Sequence, residues 1–283
     1  MEHKGNLVSI ADDFPDKVYR FGIDDNIWVF RDLARERPAS LFDNRYLKNL
    51  QLLHEKYGTL FVLNVFYETE GFALSQMPDC YREEWEANAS WLRLAFHSQN
   101  EPRSYALSSY EEVYRECEEV HRQIRRFAGE KTLSLYTTIH FTSMAYEGCR
   151  ALRDCGIKGL ICSAPGDYDN IRCSYYLNQE QTVFMDQNST VLDTETGLLF
   201  LRNDITINRG KLEDIVPILD GVLAGAKKDH FMAILLHEQY FYSYYPAYLP
   251  DYTKRMEVAI QWMLAHGYRS IFLEEYLKQT LKR

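Results

Sequence analysis

The sequence predicts a parallel α/β barrel, and three observations carry that prediction. Strand-like and helix-like stretches alternate from Val18 onward, and 283 residues suit one such barrel as a single unit over 1–283. Three strand candidates also end in side chains able to do chemistry.

Taken in order, Val18–Ile23 reads as a strand ending at Asp24-Asp25, and Asn26–Arg35 as a turn or helix broken by Pro38. From Asn44 to Tyr57, Tyr46, Leu47, Leu50, Leu53 and His54 recur at three and four spacing, which predicts an amphipathic helix stopped by Gly58. The apolar run Leu60–Tyr67 is the next strand. Met77-Pro78-Asp79 opens a helix over Tyr81–Trp91, and Leu92–Phe96 is a strand that delivers His97. Ser109 with Glu112 forms a capping-box signature for a long charged helix through Arg126, ended by Gly129. Thr132–Ile139 is a strand, Ala145–Cys155 a helix closed by Gly156, and Lys158–Cys162 a strand.

The rhythm then changes. Alternation at Thr182–Met185 and Gly197–Leu201 predicts a β-hairpin insertion around 163–210. Leu212–Gly225 is helical, Phe231–Leu236 a strand delivering His237-Glu238, Tyr252–His266 a helix closed by Gly267, and Ser270–Leu273 a final strand.

With 46% hydrophobic and 26% charged residues the chain is globular, and a net charge of −9 without a basic stripe argues against nucleic acid. Six cysteines without CxxC spacing read as reduced, buried thiols. Met1-Glu2-His3-Lys4-Gly5 shows no charged-then-apolar leader, and no window approaches the ~18 apolar residues of a membrane span, so the expected setting is the cytoplasm with no membrane partner.

In a parallel barrel, strand C-termini converge on one face, where catalysis sits. Asp24-Asp25, His97 and His237-Glu238 would meet there. Glu101 lies four residues after His97; on a turn or a first helical turn the two share a face, so this imidazole and carboxylate, with Asp25 as a third ligand, would hold one divalent cation and leave positions open for water and substrate. Zn, Mn, Fe and Co all suit such a set.

The chain resembles the polysaccharide deacetylase superfamily with NodB-homology fold. Ile23-Asp24-Asp25 stands for its Thr/Ser-Phe-Asp-Asp motif, His97-Ser98-x-x-Glu101 for His-Ser/Thr-x-x-His, and Leu236-His237 for its last motif, in the same order over roughly Val18 to Leu273. The resemblance implies a distorted (β/α)7 TIM-like barrel and metal-dependent hydrolysis of an N-acetyl or related amide on a sugar. Asp24 would be the general base and His237 the general acid, with Asp25 and His97 as metal ligands. Glu101 replaces the second metal histidine. The arginine motif is missing: its place falls near Thr138–Thr142, where His140 can contact substrate or metal, or be satisfied at the sheet edge.

Asp204 can orient His237 or form an Asx turn. Tyr240, heading the aromatic stretch to Tyr245, can stack on a sugar, pack in the core or join copies of the chain, and Trp28 is a candidate pocket wall. The sequence therefore supports a deacetylase of a carbohydrate or other small molecule. Its alternative is a catalytically degenerate barrel that binds a saccharide or partner without turnover. A metal hydrolase of a non-sugar amide or ester is a third reading.

Overall fold

The computed structural model describes residues 3–163, 173–225 and 229–280. Its centre is a ring of parallel strands. Val18–Asn26 pairs with Phe61–Phe66, which pairs with Leu92–Ser98; on its other side Val18–Asn26 pairs with Phe231–His237, which pairs with Ile205–Thr206. A second sheet carries Tyr136–Thr137, Gly159–Cys162 and Leu199–Arg202, again parallel. Apolar runs such as Phe61–Phe66 are buried along their whole length, as parallel strands covered on both faces require.

Two joints connect the sheets. At one, the chain passes from Leu199–Arg202 into Ile205–Thr206, and Asn203 N–H donates to Cys162 O at 3.0 Å while Asp204 N–H donates to Ala233 O at 3.0 Å. The two short strands thus act as one bent strand, which gives seven strand positions. At the other joint the ladder shrinks to an isolated parallel bridge between Leu94 and Leu133, with Ser134 N–H donating to Leu94 O at 2.8 Å.

Helices cover the outside: Trp28–Glu36, Arg45–Tyr57, Arg82–Ala87, Tyr110–Phe127, Tyr146–Asp154, Gln179–Asn188, Ile215–Ala224 and Tyr252–Ala265. Arg45–Tyr57 starts where Asn44 Oδ1 accepts from Tyr46 N–H and stops at Gly58, whose φ of 71° suits glycine. Ser109 and Glu112 cap Tyr110–Phe127 reciprocally, as their spacing predicts.

Strand alternation sorts the interior. The lower barrel is apolar, packed by Val18, Tyr136, Ile161, Leu201, Phe231, Ala233 and Ile271. The upper barrel is polar: Arg20, Asp24, Asn64 and His97 are all buried there.

Several sequence expectations change. The strand expected over Thr132–Ile139 keeps only Tyr136–Thr137, because Glu130–Thr132 forms a 3-10 turn ahead of it. Thr182–Met185 lies in the helix Gln179–Asn188, because Asn178 caps it and Thr182 and Met185 bury one helical face; a short apolar run does not separate strand from helix by period alone. A hairpin does join Thr190–Asp193 to Leu199–Arg202, but its second arm is a barrel strand, and residues 164–172 of the expected insertion lie outside the described residues. Ser270–Leu273 is not a strand throughout: only Arg269–Ser270 pairs, with Val18–Tyr19, and Leu273 opens the helix Leu273–Thr280 beneath the barrel. The six cysteines are free, four of them buried. Among the described residues no helix is long and apolar enough to cross a membrane.

Candidate metal centre

Successive residues of a strand point to opposite faces, so Asp24 and Asp25 should diverge. They do not, because Asp25 adopts a left-handed backbone (φ 63°) and the pairing register with Phe61–Phe66 shifts between Ile23 and Asn26. Such a conformation is costly for a residue with a side chain and persists only where its surroundings brace it. Here Asn26 Nδ2 donates to Ile23 O (2.6 Å) and Asn64 O (3.1 Å), while Tyr46 Oη donates to Asn26 Oδ1 (2.8 Å).

Asp25 then meets two histidines. His97 Nε2 lies 3.0 Å and His140 Nδ1 3.3 Å from Asp25 Oδ1, and the three residues offer ligand atoms within 4.8 Å of one another, all buried. The opposite nitrogen of each imidazole is held by a carbonyl: His97 Nδ1–H donates to Thr138 O, and His140 Nε2–H to Glu101 O at 2.8 Å. A carbonyl only accepts, so those nitrogens carry hydrogen. In neutral imidazoles, the nitrogens facing Asp25 are therefore bare. Two lone pairs aimed at a carboxylate need protons or a cation between them. Burial alone would raise the Asp25 pKa; with protons in those positions, hydrogen bonds from His140 and His97 and the charges of His97 and His237 hold it well below the carboxylate range. Burial opposes protonation of His97, and Asp24 and Asp25 outweigh it to raise its pKa.

One carboxylate and two imidazoles with carbonyl-anchored second nitrogens fit Zn, Co, Fe or Mn. The third member differs from expectation. Glu101 stays out of the cluster: its side chain is exposed, and only its carbonyl takes part, as the acceptor for His140. The strand Leu92–Ser98 carries His97, and the turn that follows points the Glu101 side chain to solvent instead of onto the face of His97. His140 is brought in by two left-handed residues, Phe141 (φ 62°) and Thr142 (φ 50°).

Asp24 and His237 are register partners on adjacent strands. With His97 and His140 they line a cleft of about 550 Å³. Asn64 Nδ2 donates to Asp24 Oδ1 at 2.5 Å. His237 Nδ1 lies 2.8 Å from Asn208 Oδ1, which makes Nδ1 the donor and leaves Nε2 as the free nitrogen. Asp204 does not orient His237. It forms a buried ion pair with Arg202 Nε (2.6 Å) and accepts from Ala233 N–H (2.7 Å). Asn64 and Asn208 were missed. Asn64 had a signal, a polar residue inside an apolar strand, whereas Asn208 had none.

Tyr240 packs 6.1 Å, centroid to centroid, from His237 and 5.2 Å from Tyr245. Trp28 contacts Tyr242, Tyr244 and Tyr245 at 5.4, 5.2 and 5.8 Å and lines a second cleft of about 850 Å³ together with Glu101.

No protein-family model and no curated protein matches the sequence. Solved structures do match. A family 4 acetyl xylan esterase from Clostridium thermocellum in complex with a cobalt ion aligns at 12% identity over 93% of this chain and 91% of that one, with a TM-score of 0.53. The Bc1960 peptidoglycan N-acetylglucosamine deacetylase aligns at 11% identity over 93% and 89%, TM-score 0.50. The 4-α-glucanotransferase from Thermococcus litoralis aligns at 13% identity over 93% of this chain and 40% of that one, TM-score 0.56. The likeness is one of fold: this chain has the barrel of carbohydrate deacetylases, and the same barrel serves a glucanotransferase.

Proposed function

We propose that this chain is a metal-dependent hydrolase of the polysaccharide deacetylase superfamily, removing an acyl group from an amide, N-acetyl foremost, of a carbohydrate. The observation that carries the reading is the trio Asp25, His97 and His140, two carbonyl-anchored imidazoles turned toward one carboxylate at the C-terminal mouth of a barrel. A cation bound by them supplies a Lewis acid for the acyl carbonyl and makes water easier to deprotonate.

The remaining roles fall to the chain's own groups. Asp24 takes the proton from the attacking water. Asn64 engages Oδ1 of that carboxylate and leaves Oδ2 for the transfer. His237, held through Nδ1 by Asn208, presents Nε2 to protonate the leaving amine. Turnover leaves Asp24 with the proton taken from water and His237 without the one given to the amine, so a proton passing from Asp24 to His237 Nε2 through solvent resets the pair.

An ester or non-sugar amide uses the same groups, and a saccharide-binding barrel without turnover keeps the same cation site. Metal titration and acetate release on N-acetylated and O-acetylated oligosaccharides separate these readings. Asp25→Asn is expected to lose the ion. Asp24→Asn is expected to keep it while turnover falls roughly 10²- to 10⁴-fold. A wild-type protein that binds no divalent ion overturns the proposal, and one that binds the ion but releases no acetate from any of these substrates favours the binding barrel.

A further inference from the structure

Arg20 is the least expected side chain in the barrel. It is 1% exposed and shares a strand face with Gly22 and Asp24. The guanidinium runs along its own strand toward the site: a Cβ on Gly22 would stand 2.2 Å from Arg20 Nη1. A side chain at position 22 would force the guanidinium to shift. Arg20 Nη2 reaches Asn64 Oδ1 and Tyr136 O, each at 3.4 Å, whereas Nε and Nη1 have no hydrogen-bond partner among the described residues. Burial pushes the Arg20 pKa down to about 10, opposed by the charge of Asp24.

Such a cation is expensive to bury without a task. Its task is legible at Asn64. That amide has two ends, and Nδ2 donates to Asp24 Oδ1. Thr137 Oγ1 also approaches Asn64 Oδ1, at 3.0 Å, but it has one proton and a closer acceptor in Phe96 O. Arg20, which can only donate, is therefore the group that fixes Asn64 Oδ1 toward itself. Reversing the amide would turn its oxygen to the Asp24 carboxylate and its NH2 to the guanidinium, unfavourable at both ends.

We infer that Arg20 is a positioning residue for Asp24: it sets the polarity of the Asn64 amide, and through that amide holds Asp24 with one oxygen engaged and the other free for the cleft. The catalytic consequence rests on the proposed role of Asp24 as base; the hydrogen-bond relay itself does not. It is a three-strand device, with Arg20 and Asp24 on Val18–Asn26, Asn64 on Phe61–Phe66 and the flanking Thr137 on Tyr136–Thr137.

The test reads the relay first and turnover second. In the metal-free protein, the Asn64 side-chain amide resonances, assigned by their loss in Asn64→Ala, are followed by NMR in Arg20→Met and Arg20→Lys. The relay predicts a displaced resonance and at least about tenfold faster amide exchange in Arg20→Met, with Arg20→Lys restoring much of both; Arg20→Lys is read alone should Arg20→Met fail to fold, and then predicts a smaller displacement. For the metal-loaded protein, kcat falls roughly 10²-fold in Arg20→Met with KM and cobalt affinity unchanged, the scale of a misplaced catalytic group. In an Asn64→Ala background the Arg20 substitution adds no further loss in kcat. An Asn64 resonance unmoved by the Arg20 substitutions overturns the inference whatever the turnover, as does full additivity of the two losses. A displaced resonance in a protein without turnover supports the relay and counts against the proposed reaction instead.

Discussion

Glu238, next to His237, gives the sharpest quantitative test of how the site is braced. It is fully buried, and its carboxylate accepts from Ile27 N–H (2.7 Å), Trp28 N–H (3.0 Å), Val29 N–H (2.6 Å) and Tyr242 Oη (3.0 Å). The helix Trp28–Glu36 has no side-chain cap of its own, since Ile27 stands at the N-cap position, so a carboxylate from another strand end satisfies its free N–H groups. That clasp also anchors the segment just after Asp25. Burial pushes the Glu238 pKa from 4.5 up to about 7, with the four donors offsetting only part of the shift.

The sign follows from linkage. Between these values the folded state keeps a proton that the unfolded chain has released, so the stability tied to this group is full below pH 4.5 and is lost as pH rises through 7. At 1.36 kcal/mol per unit, the loss is about 3 kcal/mol. Glu238→Gln mimics the protonated acid. At pH 5 it is expected to cost about 1–2 kcal/mol, because its NH2 must face one of the donors. As pH rises to 8 that gap should close and reverse, since the variant has nothing to deprotonate. Urea unfolding of both proteins in chelator at pH 5, 6, 7 and 8 measures the gap directly. A gap that stays constant, or widens with pH, would refute the reasoning: it would mean that the helix N-terminus keeps Glu238 ionised throughout.

Three further outcomes follow from the site's geometry. His140→Ala should abolish stabilisation by cobalt, worth about 2.7 kcal/mol at a free ion concentration 100 times Kd, whereas Glu101→Gln should keep it; thermal unfolding with and without the ion reports both. Asn208→Ala should lower kcat roughly tenfold or more while leaving metal affinity intact, because His237 loses the acceptor that selects its tautomer. Asp204→Asn should cost about 3–5 kcal/mol in denaturant by leaving Arg202 buried without its counter-charge, yet leave turnover per folded molecule in place, because Asn208 and not Asp204 holds His237.

The strand and helix order was readable because each layer obeys a local rule. Buried strands are apolar runs, Asn44 and Ser109 cap two of the long helices, and Gly58 and Gly129 mark stops. Three strand ends pointed to Asp24-Asp25, His97 and His237 for the same reason. The third member of the candidate cluster was only partly readable: His140 stood as one contact to substrate or metal, while spacing favoured Glu101, whose side chain the turn after Leu92–Ser98 leaves exposed. His140 enters through two consecutive left-handed residues, Phe141 and Thr142, neither of them glycine, and no sequence rule announces that conformation. Asp204 was misassigned although its partner was legible: Arg202 sits two residues away, and in extended chain i and i+2 share a face. Arg20 and Asn64 were legible as polar residues within apolar strands, but which neighbours satisfy them depends on how the two sheets face one another.

The joint between the sheets bears on the order in which this protein assembles. Asp25 and His97 belong to strands of one half-barrel, while His140 follows Tyr136–Thr137 of the other, across the place where pairing thins to the Leu94–Leu133 bridge. One half alone can present two ligands, an incomplete and weak site. The third arrives only when the halves dock, so a captured cation would reward docking itself and act as a latch on the thinnest part of the ring. A cation held at the proposed site would therefore couple its own binding to closure of the barrel.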